Sequence, residues 1–224
     1  MIDDSGQWDT IHKKIYQQNQ KHSSYAEEKE KLFPRGSLIV ELGAGTGADV
    51  IYFMKKGHSV VALDISEFAL KVLGEKAKRE GLVKYLVTKK VDFGLHQIPV
   101  KDSSVNVVYS RISLNYFGKR QTICLLKDSY RILKTGGYAY ISLKSPEDKN
   151  EMEYLKNSAT VYEPNVYIEG GMLRSRFTKR QIEEMLKIAG ISEFEVKPHQ
   201  ESLEGRGGGH HIVLFVNDIV FKKL

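Results

Sequence analysis

The junction at residues 38–47 constrains this chain more than any other feature. Leu38-Ile39-Val40 is apolar enough for a strand buried on both faces, and it runs through Glu41-Leu42 into the turn Gly43-Ala44-Gly45-Thr46-Gly47. Glycines so closely spaced tolerate positive φ and let a ligand or another backbone come near. A helix is expected from about Thr46, with Val50, Ile51 and Met54 on one face. Lys55 and Lys56 fall in its last turn and Gly57 stops it. A buried strand that passes through glycines straight into a helix opens an α/β unit, and it predicts a parallel sheet covered by helices.

The rest of the chain repeats that alternation. Val60 to Leu63 reads as a second strand, and Ser66 caps a helix whose inward face is Ala69, Leu70, Leu73 and Ala77. Tyr85 to Val91, Val105 to Tyr109 and Tyr138 to Leu143 read as three further strands. Between the last two lies a helix carrying Leu125, Leu126, Tyr130 and Leu133. The pattern breaks at Lys144, and residues 144–177 read as irregular apart from a short helix near Asn150 to Lys156. Thr178 and Gln181 then form a capping box before the stripe Ile182, Met185, Leu186 and Ala189. Strands around Phe194 to Val196 and Ile212 to Val216 close the sheet. The chain therefore divides into an N-terminal helical extension, 1–36, and one doubly wound α/β domain, 37–224, in which 144–177 is an insertion.

Bulk properties bound the function. A length of 224 residues with 41% hydrophobic and 28% charged residues suits one globular domain. No apolar run approaches the ~20 residues that span a bilayer. The acidic, polar start MIDDSGQWDT lacks the regions of a signal peptide, so a cytoplasmic location is expected. One cysteine, Cys124, allows no internal disulfide and no cysteine-based zinc site, and it reads as a buried thiol on a helix. The formal charge of +6 is spread over scattered lysines and arginines, which favours a solvated basic surface over a nucleic-acid footprint.

In an open α/β sheet, ligands bind at the carboxyl ends of the strands. Residues placed there are the glycine turn after the first strand, Asp64-Ile65 after the second, Asp92-Phe93 after the third and Ser110-Arg111 after the fourth. Asp64 follows Gly43 by 21 residues (64 − 43), the position from which a carboxylate receives two ribose hydroxyls. Gly43, Gly45 and Ala48 also satisfy a dinucleotide fingerprint, so the loop alone leaves an NAD(P)-dependent oxidoreductase open. Glu41 argues against a pyrophosphate and for a ligand bearing an ammonium group. Asp92-Phe93 supplies an acid and a ring suited to adenine.

The ordered segments VELGAGTGADV, Asp64, VDF at 91–93, VVYSRISLNYF at 107–117 and RILKTGG at 131–137 resemble the motifs of class I S-adenosylmethionine-dependent methyltransferases. The resemblance covers residues 37–145, with Thr135 where proline usually precedes the paired glycines. It implies a Rossmann-like seven-stranded sheet, mostly parallel, with an antiparallel last strand and helices on both faces. By position, Glu41, Gly43, Ala44, Gly45 and Gly47 frame the methionine part of the cofactor, and Asp64 and Ile65 take the ribose. Asp92 and Phe93 take the adenine, and Ser110, Arg111 and Ser113 flank the sulfonium.

Among such enzymes, the segment Ser110-Arg111-Ile112-Ser113 lacks the tetrapeptide of amino-methylating DNA enzymes, the magnesium carboxylate of catechol-type enzymes and the paired glutamates of protein-arginine enzymes. The remaining likeness is to small-molecule methyltransferases, the tellurite-resistance-like group included. There the extension and the 144–177 segment shape the acceptor pocket, which makes Tyr16, Tyr25, Asn115, Tyr116 and Phe117 candidate acceptor-binding residues. His210, His211 and Tyr116 are candidate proton acceptors, and His96 follows the Asp92 loop. An RNA or protein substrate is the alternative reading, with the net charge in its favour; a non-catalytic cofactor-binding protein on the same fold is another. A monomer or a homodimer is expected.

Overall fold

The computed structural model describes residues 5–16, 20–203 and 212–224. A seven-stranded sheet forms the centre, in the order β3-β2-β1-β4-β5-β10-β9. Its strands are β1 (Leu38–Leu42), β2 (Ser59–Asp64), β3 (Leu86–Lys90), β4 (Val105–Arg111), β5 (Leu133–Lys144), β9 (Phe194–Leu203) and β10 (Ile212–Lys222). The first five run parallel, and β10 lies antiparallel between β5 and β9. The expected doubly wound sheet with one antiparallel strand is thus present.

Alternation along the strands explains the two-sided burial. Ile39, Val107, Tyr109 and Tyr140 face a cluster built with Val50, Phe53 and Met54 of α3 (Ala48–Lys55) and Leu73 and Ala77 of α4 (Glu67–Arg79). Val40, Leu42, Val108 and Ile141 point the other way. They meet Leu125 and Leu126 of α5 (Lys119–Ile132) and Ile182, Met185 and Leu186 of α7 (Lys179–Ile188). Each fully buried valine, leucine, isoleucine, phenylalanine or methionine among them contributes roughly 1.5–3 kcal/mol by leaving water. Ser66 caps α4 by accepting from the Ala69 N–H, and the capping box at Thr178 and Gln181 forms as read.

The extension supplies α1 (Ser5–Ile15) and α2 (Ser24–Glu30). α2 is locked down by its own cap residue: Ser23 donates its backbone N–H to Asp49 Oδ1 at 2.7 Å and its hydroxyl to Asp49 Oδ2 at 2.9 Å. Asp49 opens α3, so this bond sets the extension beside the glycine turn.

Two expectations are corrected. Residues 144–177 hold α6 (Lys149–Ser158) as foreseen, but the remainder is a three-stranded antiparallel meander of β6 (Thr160–Glu163), β7 (Val166–Glu169) and β8 (Met172–Ser175). Gly170 and Gly171, at φ +56° and +80°, form the two-residue turn between β7 and β8, the conformation that fits the twist of a tight hairpin. Cys124 is exposed on α5, not buried, because the inward stripe of that helix is taken by Thr122, Leu125, Leu126 and Ser129.

Candidate active site at the carboxyl edge of the sheet

The glycine turn is held open by the strand beside it. The N–H groups of Gly43 and Ala44 both donate to Leu63 O, at 2.8 and 3.1 Å. Gly43, Gly45 and Gly47 have φ of +71°, +51° and +76°, where an L side chain is strained. Gly43 has a second reason to lack a side chain, since a Cβ there would lie 2.2 Å from Ser113 Cβ. Ser113 in turn donates to Leu42 O at 2.7 Å and lies 2.6 Å from the Ser110 hydroxyl. The ends of β1 and β4 are thereby fused into one floor, and Ser110, Ser113 and Gly43 meet there as the sequence implies.

Three carboxylates surround this floor. Asp64 ends β2 and accepts from Gly45 N at 2.7 Å and from Ser66 N at 2.8 Å, which leaves further lone pairs on both oxygens. Burial raises its pKa, and those N–H bonds oppose the rise. Asp49 is occupied by Ser23 and by the Tyr109 hydroxyl at 2.8 Å. Glu41 is only 5% exposed, and its Oε2 is buried with no hydrogen-bond partner among the described residues. Burial pushes its pKa well above the ordinary range, reinforced by Asp49 and Asp64 and offset in part by Arg111. A buried carboxyl oxygen without a donor is costly. Beside two more acids it makes a place for a cation with N–H groups to give.

The remaining predicted residues divide. Asp92 turns its loop by accepting from Gly94 N at 2.7 Å, and Phe93 is buried beside it. Ile65 follows Asp64 into the α4 cap. Arg111 forms a paired bond with Glu201, Nε lying 2.9 and 3.0 Å from the two carboxylate oxygens. Asn115 is a latch: its amide donates to Ile112 O at 2.7 Å and its Oδ1 receives Lys144 N at 2.8 Å. Tyr116 lies between α1 and the meander, with the Trp8 ring edge-on at 4.6 Å and the Arg174 guanidinium 5.1 Å from its centroid.

Other expected acceptor residues lie elsewhere. Tyr16 packs on Phe68 at 6.3 Å, with Lys76 over its ring. Phe117 packs against the core under α5 and α7. Tyr25 is a core side chain, 1% exposed, and its hydroxyl donates to Asp218 at 2.8 Å. That placement puts the Tyr25 hydroxyl on β10 and not beside Tyr116. His96 is exposed on its loop, and His210 and His211 lie outside the described residues.

Sequence reasoning did not single out Asp49, Glu201, Asp9 or His12. Asp9 accepts from Ser66 Oγ at 2.6 Å and so joins α1 to the start of α4. Trp8 and His12 are four residues apart, the spacing of one helical face, and that was the available signal.

A sheet with this strand order, its glycine turn and three carboxylates gathered at the carboxyl edge, has the fold of the class I S-adenosylmethionine-dependent methyltransferases. Residues 40–141 match the model of the Methyltransferase domain family, and S-adenosylmethionine is the cofactor of this class. An arsenite methyltransferase of Halobacterium salinarum is 28% identical over 179 residues, covering 75% of this chain and 41% of that protein. A solved S-adenosylmethionine-dependent methyltransferase from Methanosarcina mazei has a TM-score of 0.70 at 19% identity, covering 92% of this chain and 99% of the other. TehB from Haemophilus influenzae has a TM-score of 0.65 at 17% identity, covering 97% and 67%. The chain spans less than half the length of the curated relatives it matches. Among the described residues, no helix is long and apolar enough to cross a membrane.

Proposed function

We propose that this chain transfers the methyl group of S-adenosylmethionine to a small-molecule acceptor that enters between α1, Tyr116 and the β6–β8 meander. The observation that carries the reading is Glu41, a buried carboxyl group with an unpartnered oxygen beside the glycine turn. An amino-acid ammonium group satisfies that oxygen, whereas a pyrophosphate would meet three acids. The bound cofactor supplies an activated methyl on a sulfonium, whose transfer leaves a neutral thioether. The chain's part is positioning. Glu41 and the glycine backbone hold the amino-acid end, Asp64 receives the ribose hydroxyls, and Asp92 with Phe93 borders the adenine. Ser110 and Ser113 keep the floor beneath the sulfonium.

The extension, with residues 144–177, forms the acceptor side, because Trp8, Tyr116 and Arg174 make a continuous aromatic and cationic wall there. A small acceptor fits this reading, as the arsenite methyltransferase is among the chain's relatives. Calorimetric titration with S-adenosylmethionine, S-adenosylhomocysteine and NADH tests the cofactor, and product release over a panel of thiols, amines, phenols and oxyanions tests the acceptor. Binding of NADH alone would refute the reading. Turnover only on RNA or protein would replace the acceptor class.

A further inference from the structure

The first helix is fastened at three points, to elements that follow β2, β4 and β7. Asp9 receives Ser66 Oγ at 2.6 Å and Phe68 N at 3.2 Å. Gln7 Nε2 donates to Gly170 O at 3.0 Å in the β7–β8 turn. Trp8 sets its ring edge-on against Tyr116 at 4.6 Å. Asp9 thus ties α1 to α4, Gln7 ties it to the meander, and Trp8 ties it to the turn after β4.

Between these fastenings, His12 lays its imidazole on the glycine loop. A Cβ placed on Gly45 would come within 3.1 Å of His12 Cε1, so the ring lies in direct contact with the loop. The same ring lies 5.9 Å from Trp8 and is close enough to Asp64 for the two groups to influence each other. Neither ring nitrogen has a hydrogen-bond partner among the described residues, although the side chain is half-buried. Burial lowers the His12 pKa, so the ring is neutral at physiological pH and carries one donor and one acceptor.

We propose that His12 is a cofactor-contacting residue: α1 is a cover over the pocket, and the His12 imidazole donates to a ribose hydroxyl whose own proton goes to Asp64. The inference rests on the methyltransferase reading above. Its chemistry is complementary. A carboxylate only accepts, so Asp64 satisfies the donors of the ribose diol and leaves the oxygen lone pairs open. An imidazole N–H beside Asp64 fills one of them. The cofactor then enters with α1 lifted, and the fastenings of α1 govern how fast it leaves.

Trp8 is the only tryptophan and sits on the cover, so its fluorescence reports both binding and release. S-Adenosylhomocysteine is titrated into wild type, His12→Phe, His12→Gln and Asp9→Ala, each checked by its melting temperature. Phenylalanine keeps the packing on Trp8 and Gly45 but has no ring nitrogen, and about tenfold weaker binding is expected. Glutamine keeps a donor and recovers most of that loss. Asp9→Ala frees one fastening without touching the ribose, and at least fivefold faster release is expected. Phenylalanine binding within threefold of wild type, glutamine binding as weak as phenylalanine, or unchanged release from Asp9→Ala would each overturn the proposal. A wild type that binds no S-adenosylhomocysteine would instead refute the methyltransferase reading itself.

Discussion

Glu41→Gln separates what the pocket does for folding from what it does for binding, because the two effects have opposite signs. In the free protein Glu41 Oε2 is buried without a donor, and its charge faces Asp49 and Asp64. Replacing the acid by its neutral isostere removes that repulsion. Glutamine still leaves a polar atom buried there, so the gain comes from the lost charge alone. At about 1.4 kcal/mol per pKa unit of repulsion, and ~2–4 °C per kcal/mol for a domain of this size, the variant is expected to melt roughly 3–6 °C higher without ligand. The gain depends on pH. Glu41 keeps its proton to higher pH in the folded chain than in the unfolded one, so wild-type stability is full below the ordinary carboxylate range and falls as pH rises above it. Glutamine has no such loss, and the gap between the proteins widens with pH. Binding moves the other way. A hydrogen bond to a charged group contributes about 1.5–3 kcal/mol, so S-adenosylmethionine affinity is expected to fall by roughly 10- to 150-fold. Differential scanning calorimetry from pH 5 to 8 and isothermal titration measure both. A variant that melts lower, or binds as wild type does, would refute the account of Glu41.

Further outcomes follow from single contacts. Asp64→Ala removes the acceptor of Gly45 N and Ser66 N as well as the proposed ribose contact, and at least tenfold weaker S-adenosylhomocysteine binding is expected by titration. Gly45→Val, at φ +51° and against His12, is expected to abolish binding; normal affinity would discredit the loop assignment. Burial works against the Glu151 carboxylate, but its bonds to Arg176 and Lys144 outweigh that and hold its pKa down at about 2. Glu151→Gln should therefore cost on the order of 1–3 kcal/mol at neutral pH. The difference should shrink in acid melts as pH falls from the usual carboxylate range toward 2. Cys124 is exposed, so it is expected to react with a thiol reagent at full stoichiometry in the native protein.

Strand positions and helix faces were legible because each depends on a local period. Ile39 and Val40 alternate across a sheet covered on both sides, and the stripe at Ile182, Met185 and Leu186 repeats at helical spacing. The meander was not read, although its signals are present. Thr160 to Ser175 is polar enough to pass for a loop, since Val161 and Tyr162 of its first strand are exposed. Pro164-Asn165 and Gly170-Gly171 nevertheless stand between β-prone runs, and a two-residue turn was the physical reading of each. Cys124 was misplaced because an apolar neighbourhood in sequence, Ile123 to Leu126, does not say which side of a helix turns inward.

The floor of the site was legible for a related reason, and its roof was not. Glu41, Gly43, Asp64 and Ser113 each lie at or just past the end of a strand, and the carboxyl edge gathers strand ends whatever their separation in sequence. Asp9 and His12 belong to a helix outside the sheet, and nothing in their own segment states where that helix lands. Its place is fixed by distant partners: Ser66 lies 57 residues beyond Asp9, and Gly170 lies 163 beyond Gln7. The Ser66 hydroxyl shows how such a link is made from an ordinary part. It accepts from Ala69 N as a helix cap and still has its own proton to give, which it gives to Asp9. A cap residue chosen for α4 thereby fastens α1 as well, and its own N–H holds Asp64 Oδ1 at 2.8 Å.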